Sequence, residues 1–231
     1  MTVWDPLAGS PTTDALAAQI ASQKIPHAWL LLGPRGSGKS SAAVAMAAAL
    51  NCTVMPGVGC GECSSCARTL RRRHPDAIHL VPEGPLIPVD AVRELVGRAG
   101  RTPFEAERKI FVIEEAERMN PAAQNALLKT LEEPQPDTFF VLISENEDEL
   151  LETIRSRCRM VRLEPLSEER IVESLTSGGL SESDARLAAR LSGGDIERAR
   201  ALGLDDAARS RRALWLSVPG RLISAVDCLD L

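Results

Sequence analysis

The sequence predicts an α/β protein with a largely parallel sheet, followed by a small helical domain. Short apolar runs alternate with helix-like segments as far as Leu163, the pattern of strand–helix–strand crossovers. One run, Ala28-Trp29-Leu30-Leu31-Leu32, leads into a glycine loop and then an alanine-rich stretch, Ser41 to Leu50. After Leu163 the strand-like runs stop and short capped helical segments take over.

The candidate strands are Ala28–Leu32, Ala77–Val81, Ile110–Ile113, Phe139–Ser144 and Arg159–Leu163. Asp14–Gln23 and Lys39–Leu50 read as helices. Val89–Gly97 has a start signal in Pro88 and Asp90 and an end signal at Gly97 or Gly100. Asn120-Pro121 sets a capping side chain before a proline at the first helical position. That helix runs through Asn125–Glu132 and stops before Pro134. Ser167 caps the next helix and Gly178-Gly179 breaks it. Ser181 caps Glu182 to Leu191, Gly193-Gly194 breaks that, and Asp195 begins a third helix to about Leu202. A further helix is expected from Asp205 to Leu216. The expected domains are 1–164, 165–204 and 205–231.

Composition narrows the function classes. The net charge of -5 over 231 residues argues against a globally basic nucleic-acid binder. No apolar run approaches the length of a membrane span. Met1 to Ser10 lacks the basic and apolar regions of a signal peptide, so a cytoplasmic protein is expected. There the six cysteines read as metal ligands or free thiols before disulfides.

Gly33-Pro34-Arg35-Gly36-Ser37-Gly38-Lys39-Ser40 is a complete G-x-x-x-x-G-K-[ST] loop between strand and helix. Its ligand is a nucleotide polyphosphate such as ATP, with Mg²⁺. The glycines turn backbone N–H groups toward phosphate oxygens, and the helix start adds its dipole. Lys39 is expected to reach the β- and γ-phosphates and Ser40 to ligate Mg²⁺. Ile110–Ile113 ends in Glu114 and Glu115. Glu114 would complete the Mg²⁺ shell and Glu115 would act as general base. An acidic helix start is the alternative. Ser144, at a strand end, would sense the γ-phosphate or else satisfy local backbone. Arg155 and Arg157 close a helical turn, where surface ion pairing competes with a role at a neighbour's phosphate.

Cys60-Gly-Glu-Cys63-Ser-Ser-Cys66 spaces three cysteines by two residues, with Cys52 upstream at the end of the loop's helix. Four thiolates at this spacing can surround Zn²⁺ with no ligand position spare, so the site reads as structural. A redox C-x-x-C pair does not explain the fourth cysteine. The run Arg68, Arg71, Arg72, Arg73 reads as a solvated helix face, with nucleic-acid contact as the lesser reading.

Together these stretches resemble the AAA+ clamp-loader subunits of bacterial DNA polymerase III, most of all their delta-prime branch. The matching segments are Pro26 through Ser40, the four-cysteine insertion and His74-Pro75-Asp76. They continue with Val89–Leu95, Asn125–Pro134 and Ser156-Arg157-Cys158. The resemblance covers about Pro26 to Leu202. It implies an AAA+ P-loop NTPase core with a zinc module near 52–66, a three-helix lid and a C-terminal collar beginning at 205. It implies that Cys52, Cys60, Cys63 and Cys66 bind Zn²⁺, and that Arg157 is an arginine finger for a neighbouring ATPase subunit. The implied partners are tau/gamma and delta subunits in a hetero-pentamer, and through them the sliding clamp and primed DNA. The implied work is clamp loading in ATP-dependent replication, with no membrane role.

The chain departs from the family pattern in several places. Its phosphate loop is intact where delta-prime members often lack one, and Glu114 stands where aspartate is usual. Glu197 falls at the lid's sensing-arginine position when the alanines are aligned. Only Asp205 to Leu231 stand where a collar would be. Nucleotide binding with weak or absent hydrolysis in cis is expected. A tau/gamma-type ATPase and a structural scaffold with a relic nucleotide site are the alternatives.

Overall fold

The structure, a computed structural model, describes residues 2–7 and 10–204. The chain divides into two compact units, Met1–Glu164 and Pro165–Leu231. The helix and collar expected from 205 onward lie outside the described residues.

In the first unit, β1 (Ala28–Leu32), β2 (Ala77–Leu80), β3 (Lys109–Ile113), β4 (Thr138–Ser144) and β5 (Arg159–Arg162) form one sheet in the order β2-β3-β4-β1-β5. Every neighbouring pair is parallel. Helix α1 (Pro11–Ala21) precedes β1, and α2 (Lys39–Leu50), α3 (Ser64–Leu70), α4 (Val89–Ala99), α5 (Pro121–Glu132) and α6 (Glu152–Arg155) connect the strands. Parallel strands need such crossovers, which cover both sheet faces. Accordingly β1 and β3 are buried at every position.

Alternate residues face opposite sides and build two cores. Trp29, Leu31, Ile110, Val112, Val141 and Ile143 pack with the buried alanines of α2 and with α1. Leu30, Leu32, Phe111, Ile113, Phe140 and Leu142 pack with Leu95 of α4 and Leu127 and Leu131 of α5. The Phe111 and Phe140 rings stack at 5.3 Å between centroids. Helix α2 is buried on nearly every face, and its alanines let it lie close to the sheet.

The expected elements form with small shifts. Helix α1 begins at Pro11, not Asp14, because proline at the first helical position supplies the start. Helix α4 reaches Ala99, carried past Gly97 by Lys109, whose Nζ donates to the carbonyls of Ala99 and Arg101. Val81 and Leu163 lie just beyond the strands assigned to them. At the start of α5, Asn120 Oδ1 accepts the Ala123 N–H at 2.9 Å. Gln124, buried in the same helix, donates to the carbonyls of Met119 and Glu149 and accepts from Leu151 N–H at 2.7 Å. This fully satisfied amide fixes the segment that leads into α6.

In the second unit, α7 (Glu168–Ser177), α8 (Glu182–Ser192) and α9 (Ile196–Leu204) pack around Ile171, Leu175, Ala185, Ala188, Ala189 and Ile196. Ser167 and Ser181 accept the N–H groups of Arg170 and Asp184, as N-caps. Gly194 sits at φ +90, and a Cβ there would lie 2.3 Å from Pro165 Cβ. The break between α8 and α9 thus needs glycine.

One buried carboxylate organises the edge beside β2. Asp76 accepts the N–H groups of Phe104, Glu105 and Ala106 at 2.7, 2.9 and 2.9 Å. Burial alone would raise its pKa, but the three N–H donors outweigh burial and hold the carboxyl below its ordinary value. The stabilisation is present in full above the unfolded pKa, about 4, and is lost as pH falls through the depressed folded value. Asp76→Asn is expected to lower unfolding free energy by about 2 kcal/mol at neutral pH. In urea melts across pH, the gap between the two proteins should close at the acid end. A gap independent of pH would assign the loss to packing.

Candidate functional site

The C-terminal ends of β1, β3 and β4 lie side by side, in the order β3-β4-β1. The phosphate loop leaves β1 there. Gly33 donates its N–H to Ser144 O at 3.3 Å. A Cβ on Gly33 would lie 2.2 Å from the carbonyl oxygen of Leu163, so the loop leaves the sheet only because this residue has no side chain. Gly38, at φ +79, hands the chain to α2 with no side-chain cap. The first N–H groups of α2 have no intrahelical acceptor, which suits an anion.

Within the loop, Lys39 Nζ donates to its own carbonyls, Gly33 O at 2.6 Å and Pro34 O at 2.7 Å. The Ser37 hydroxyl is buried without a hydrogen-bond partner. An ammonium on loop carbonyls and an orphaned hydroxyl fit a site whose acceptor is a phosphate oxygen. Arg35, Pro34 and Gly36 complete the loop, with Arg35 exposed at its rim.

Ser40 and Glu114 meet as the sequence suggests. Ser40 Oγ donates to Glu114 Oε2 at 2.5 Å. A hydroxyl and a carboxylate joined at the foot of a phosphate loop are a fitting oxygen pair for Mg²⁺. Glu114 Oε1 lies 3.2 Å from the Arg72 guanidinium, at the end of α3. That contact was not legible in the sequence, where Arg72 is one of four arginines in a short run. Arg68, also from that run, pairs with Glu105 at 2.5 Å. Two of the four basic residues are therefore used inside the unit.

Glu115 turns away from this pair. It takes a left-handed backbone at φ +48, and its carboxylate pairs with Arg118 Nε at 2.8 Å. Ser144 is fully buried. Its hydroxyl donates to Asn146 O at 2.9 Å and accepts Asn146 N–H at 3.2 Å, the local backbone arrangement among the two alternatives. Arg157 follows α6. Its guanidinium pairs with Glu132 at 2.5 Å and donates to Thr153 O at 2.8 Å. It lines a shallow surface depression with His27, Leu131, Glu132 and Ser156.

The four cysteines converge. Their sulfurs all lie within 4.8 Å of one another. Cys52 Sγ is 3.7 Å from Cys60 Sγ and 3.9 Å from Cys63 Sγ. A tetrahedron of thiolates around Zn²⁺ at about 2.3 Å has edges of about 3.8 Å. Backbone N–H groups point at the sulfurs: Met55 and Cys60 at Cys52, Cys63 at Cys60, Cys66 at Cys63. Burial would raise the Cys63 pKa, but N–H groups of Cys66 and Thr53 outweigh it and bring the thiol down to about 6. Burial, then its cysteine neighbours, pushes Cys66 up. The donor set and its spacing fit a tetrahedral thiophilic ion.

A sequence-family model described as DNA polymerase III, delta subunit, matches residues 9–167. DNA polymerase III subunit delta' of Bacillus subtilis is 35% identical over 193 residues, covering 83% of this chain and 58% of that protein. The subunit of the same name from Pseudomonas aeruginosa is 45% identical over 152 residues, covering 64% of this chain and 46% of that protein. The chain thus spans about half the length of these relatives. Among solved structures, a DNA polymerase III gamma subunit-related protein from Thermotoga maritima superposes with a TM-score of 0.57 at 21% identity. The superposition covers 88% of this chain and 62% of that one, and the two share a fold. With the family model spanning more than half of its residues, the chain belongs to the DNA polymerase III delta' subunit family.

Proposed function

We propose that this chain is a clamp-loader subunit that binds ATP through its phosphate loop and lends Arg157 to the ATP site of a neighbouring subunit. The observation that carries nucleotide binding is the intact loop, with Ser40 already bound to Glu114. Family membership supplies the setting. In it, the chain helps load the sliding clamp onto primed DNA, within a hetero-pentamer of tau/gamma and delta subunits.

Lys39 would leave the Gly33 and Pro34 carbonyls for the phosphates, and the N–H groups of residues 36–40 would line the same oxygens. Ser40 and Glu114 would hold Mg²⁺, which supplies charge neutralisation on the phosphates. Hydrolysis in cis is weak on this reading. Glu115, the residue in line for the base, is engaged by Arg118 at 2.8 Å and would have to leave it to reach an attacking water. Arg157 is suited to exchange its partner. Its pair with Glu132 is part-exposed on both sides, and pairs of that kind are worth about 1 kcal/mol or less. A neighbour's developing phosphate charge in a dry interface outbids that. Cys52, Cys60, Cys63 and Cys66 would hold Zn²⁺, which cross-links the segment between α2 and α3.

A tau/gamma-type ATPase is the second reading, favoured by the complete loop and the Ser40–Glu114 pair. Single-turnover hydrolysis by the isolated chain separates the two. Little turnover, with ATP binding weakened at least about tenfold by Lys39→Ala, is expected. Robust turnover abolished by Lys39→Ala would select the second reading. No binding at millimolar ATP would leave only a scaffold.

In a reconstituted clamp loader, Arg157→Ala is expected to cut ATPase activity by about a thousandfold. Unchanged activity would reject the finger role. Elemental analysis of the purified chain should find one zinc per chain, and a chelator should release it, free four thiols and lower the melting temperature. Protein with no zinc and four freely reactive thiols would remove the metal assignment.

A further inference from the structure

Arg72 stands apart from the other arginines of its run by its backbone. It lies at φ +55, immediately after the end of α3. Its N–H bonds Thr69 O, and the Arg73 N–H bonds Arg68 O, both at 2.8 Å. This is the paired hydrogen-bond helix stop that glycine normally completes. A residue with a Cβ costs free energy in that conformation, and the short α3–β2 connection contains no glycine. What the position gains from arginine is reach to Glu114.

Glu114 is held from two sides. Ser40 Oγ donates to one carboxylate oxygen and the Arg72 guanidinium lies 3.2 Å from the other. The carboxylate is 9% exposed, so water does little to balance its charge. The neighbouring His79 ring is neutral: burial, with the positive charge of Arg72 behind it, pushes it down to about 4. His79 therefore adds no positive charge beside Arg72, and Glu114 is the carboxylate that Arg72 meets. The helix that delivers Arg72 starts at the cysteine cluster, where Cys63 Sγ accepts the Cys66 N–H as N-cap. A helix of seven residues has little stability of its own, so its anchoring at that end sets where Arg72 lies.

We propose that Arg72 is a built-in counter-cation for Glu114, and that it lets this phosphate loop take a nucleoside triphosphate with little dependence on Mg²⁺. The inference rests on the nucleotide-binding reading above. A bare carboxylate beside the γ-phosphate repels a metal-free triphosphate, and a divalent cation normally relieves that repulsion. Arg72 relieves it from within the protein. The same pair taxes Mg²⁺ entry, because the ion must draw Glu114 away from both Arg72 and Ser40. Arg72 is a positioning residue on this account, since it acts on nucleotide through Glu114.

The test is equilibrium binding of a fluorescent ATP analogue to the full chain, in EDTA and in millimolar Mg²⁺. In the unaltered chain the two affinities should lie within about threefold of each other, because Arg72 already balances the carboxylate. Arg72→Gly suits the left-handed backbone and should keep the fold, checked by thermal melting. It should weaken metal-free binding by about tenfold and leave Mg²⁺-supported binding intact or improved. Arg72→Lys should retain most of the unaltered ratio. Adding Glu114→Gln to Arg72→Gly should restore metal-free binding, because the repulsion is then gone. Strong Mg²⁺ dependence in the unaltered chain, or the same ratio in Arg72→Gly, overturns the proposal while nucleotide binding stands. No binding by the unaltered chain in either buffer overturns both.

Discussion

An all-parallel sheet is the constraint on which the rest of the first unit depends. Every strand ends at the same edge, and each connection must travel back over a face before the next strand begins. That geometry buries β1 and β3 completely, which is why β1 is an unbroken apolar run and β3 is one after Lys109, whose ammonium donates to backbone carbonyls. It also gathers the residues that follow three strands at one edge. Gly33 follows β1, Glu114 follows β3 and Ser144 closes β4, and these strands are neighbours. Residues far apart in sequence meet there because the topology leaves them nowhere else to go. The glycine at 33 is the narrowest point of the arrangement, since the carbonyl of Leu163 occupies the space a side chain would need.

Much of this was legible in the sequence, for physical reasons that operate locally. A fully buried strand announces itself as a short run without polar interruption, as β1 does, and all five strands, the part-exposed β2 and β5 included, were placed within about a residue. Asn120, Ser167 and Ser181 were readable as caps because a short polar side chain before a helix has one geometry that satisfies the open N–H groups. The cysteine cluster was legible because four cysteines in so short a stretch suit one shared tetrahedral ion. The sulfur spacing agrees with that reading.

What stayed hidden depends on partners distant in sequence or on backbone sign. Asp76 reads as part of His74-Pro75-Asp76, yet its carboxylate organises a loop about thirty residues downstream. Nothing local says which N–H groups it will meet. Glu115 reads as a base beside Glu114, and nothing in the sequence tells of its left-handed backbone or its pair with Arg118. Ser144 reads equally as a sensor or as a strand-end cap, and its hydrogen bonds to Asn146 are those of the cap. Arg72 was invisible because arginine is the wrong residue for a helix stop. A composition argument sends such a residue to solvent, and Arg72 is indeed exposed, but its φ lets the guanidinium also meet Glu114.

Two arginine–glutamate pairs of this unit, Arg157–Glu132 and Arg72–Glu114, differ in a way that follows from burial. Arg157 and Glu132 are both part-exposed, at 33% and 47%. Either can leave the other and be hydrated, so the pair costs little to open. Arg72 and Glu114 are unequal, at 42% and 9%. Arg72 can move into water, but Glu114 cannot follow it, and separation would strand a buried carboxylate. Any species that takes Arg72's place must therefore bring positive charge with it. One pair opens freely into water, whereas the other opens only in exchange for another cation. Both behaviours rest on arginine and glutamate, and the sheet edge decides which is which by how much water it leaves to the carboxylate.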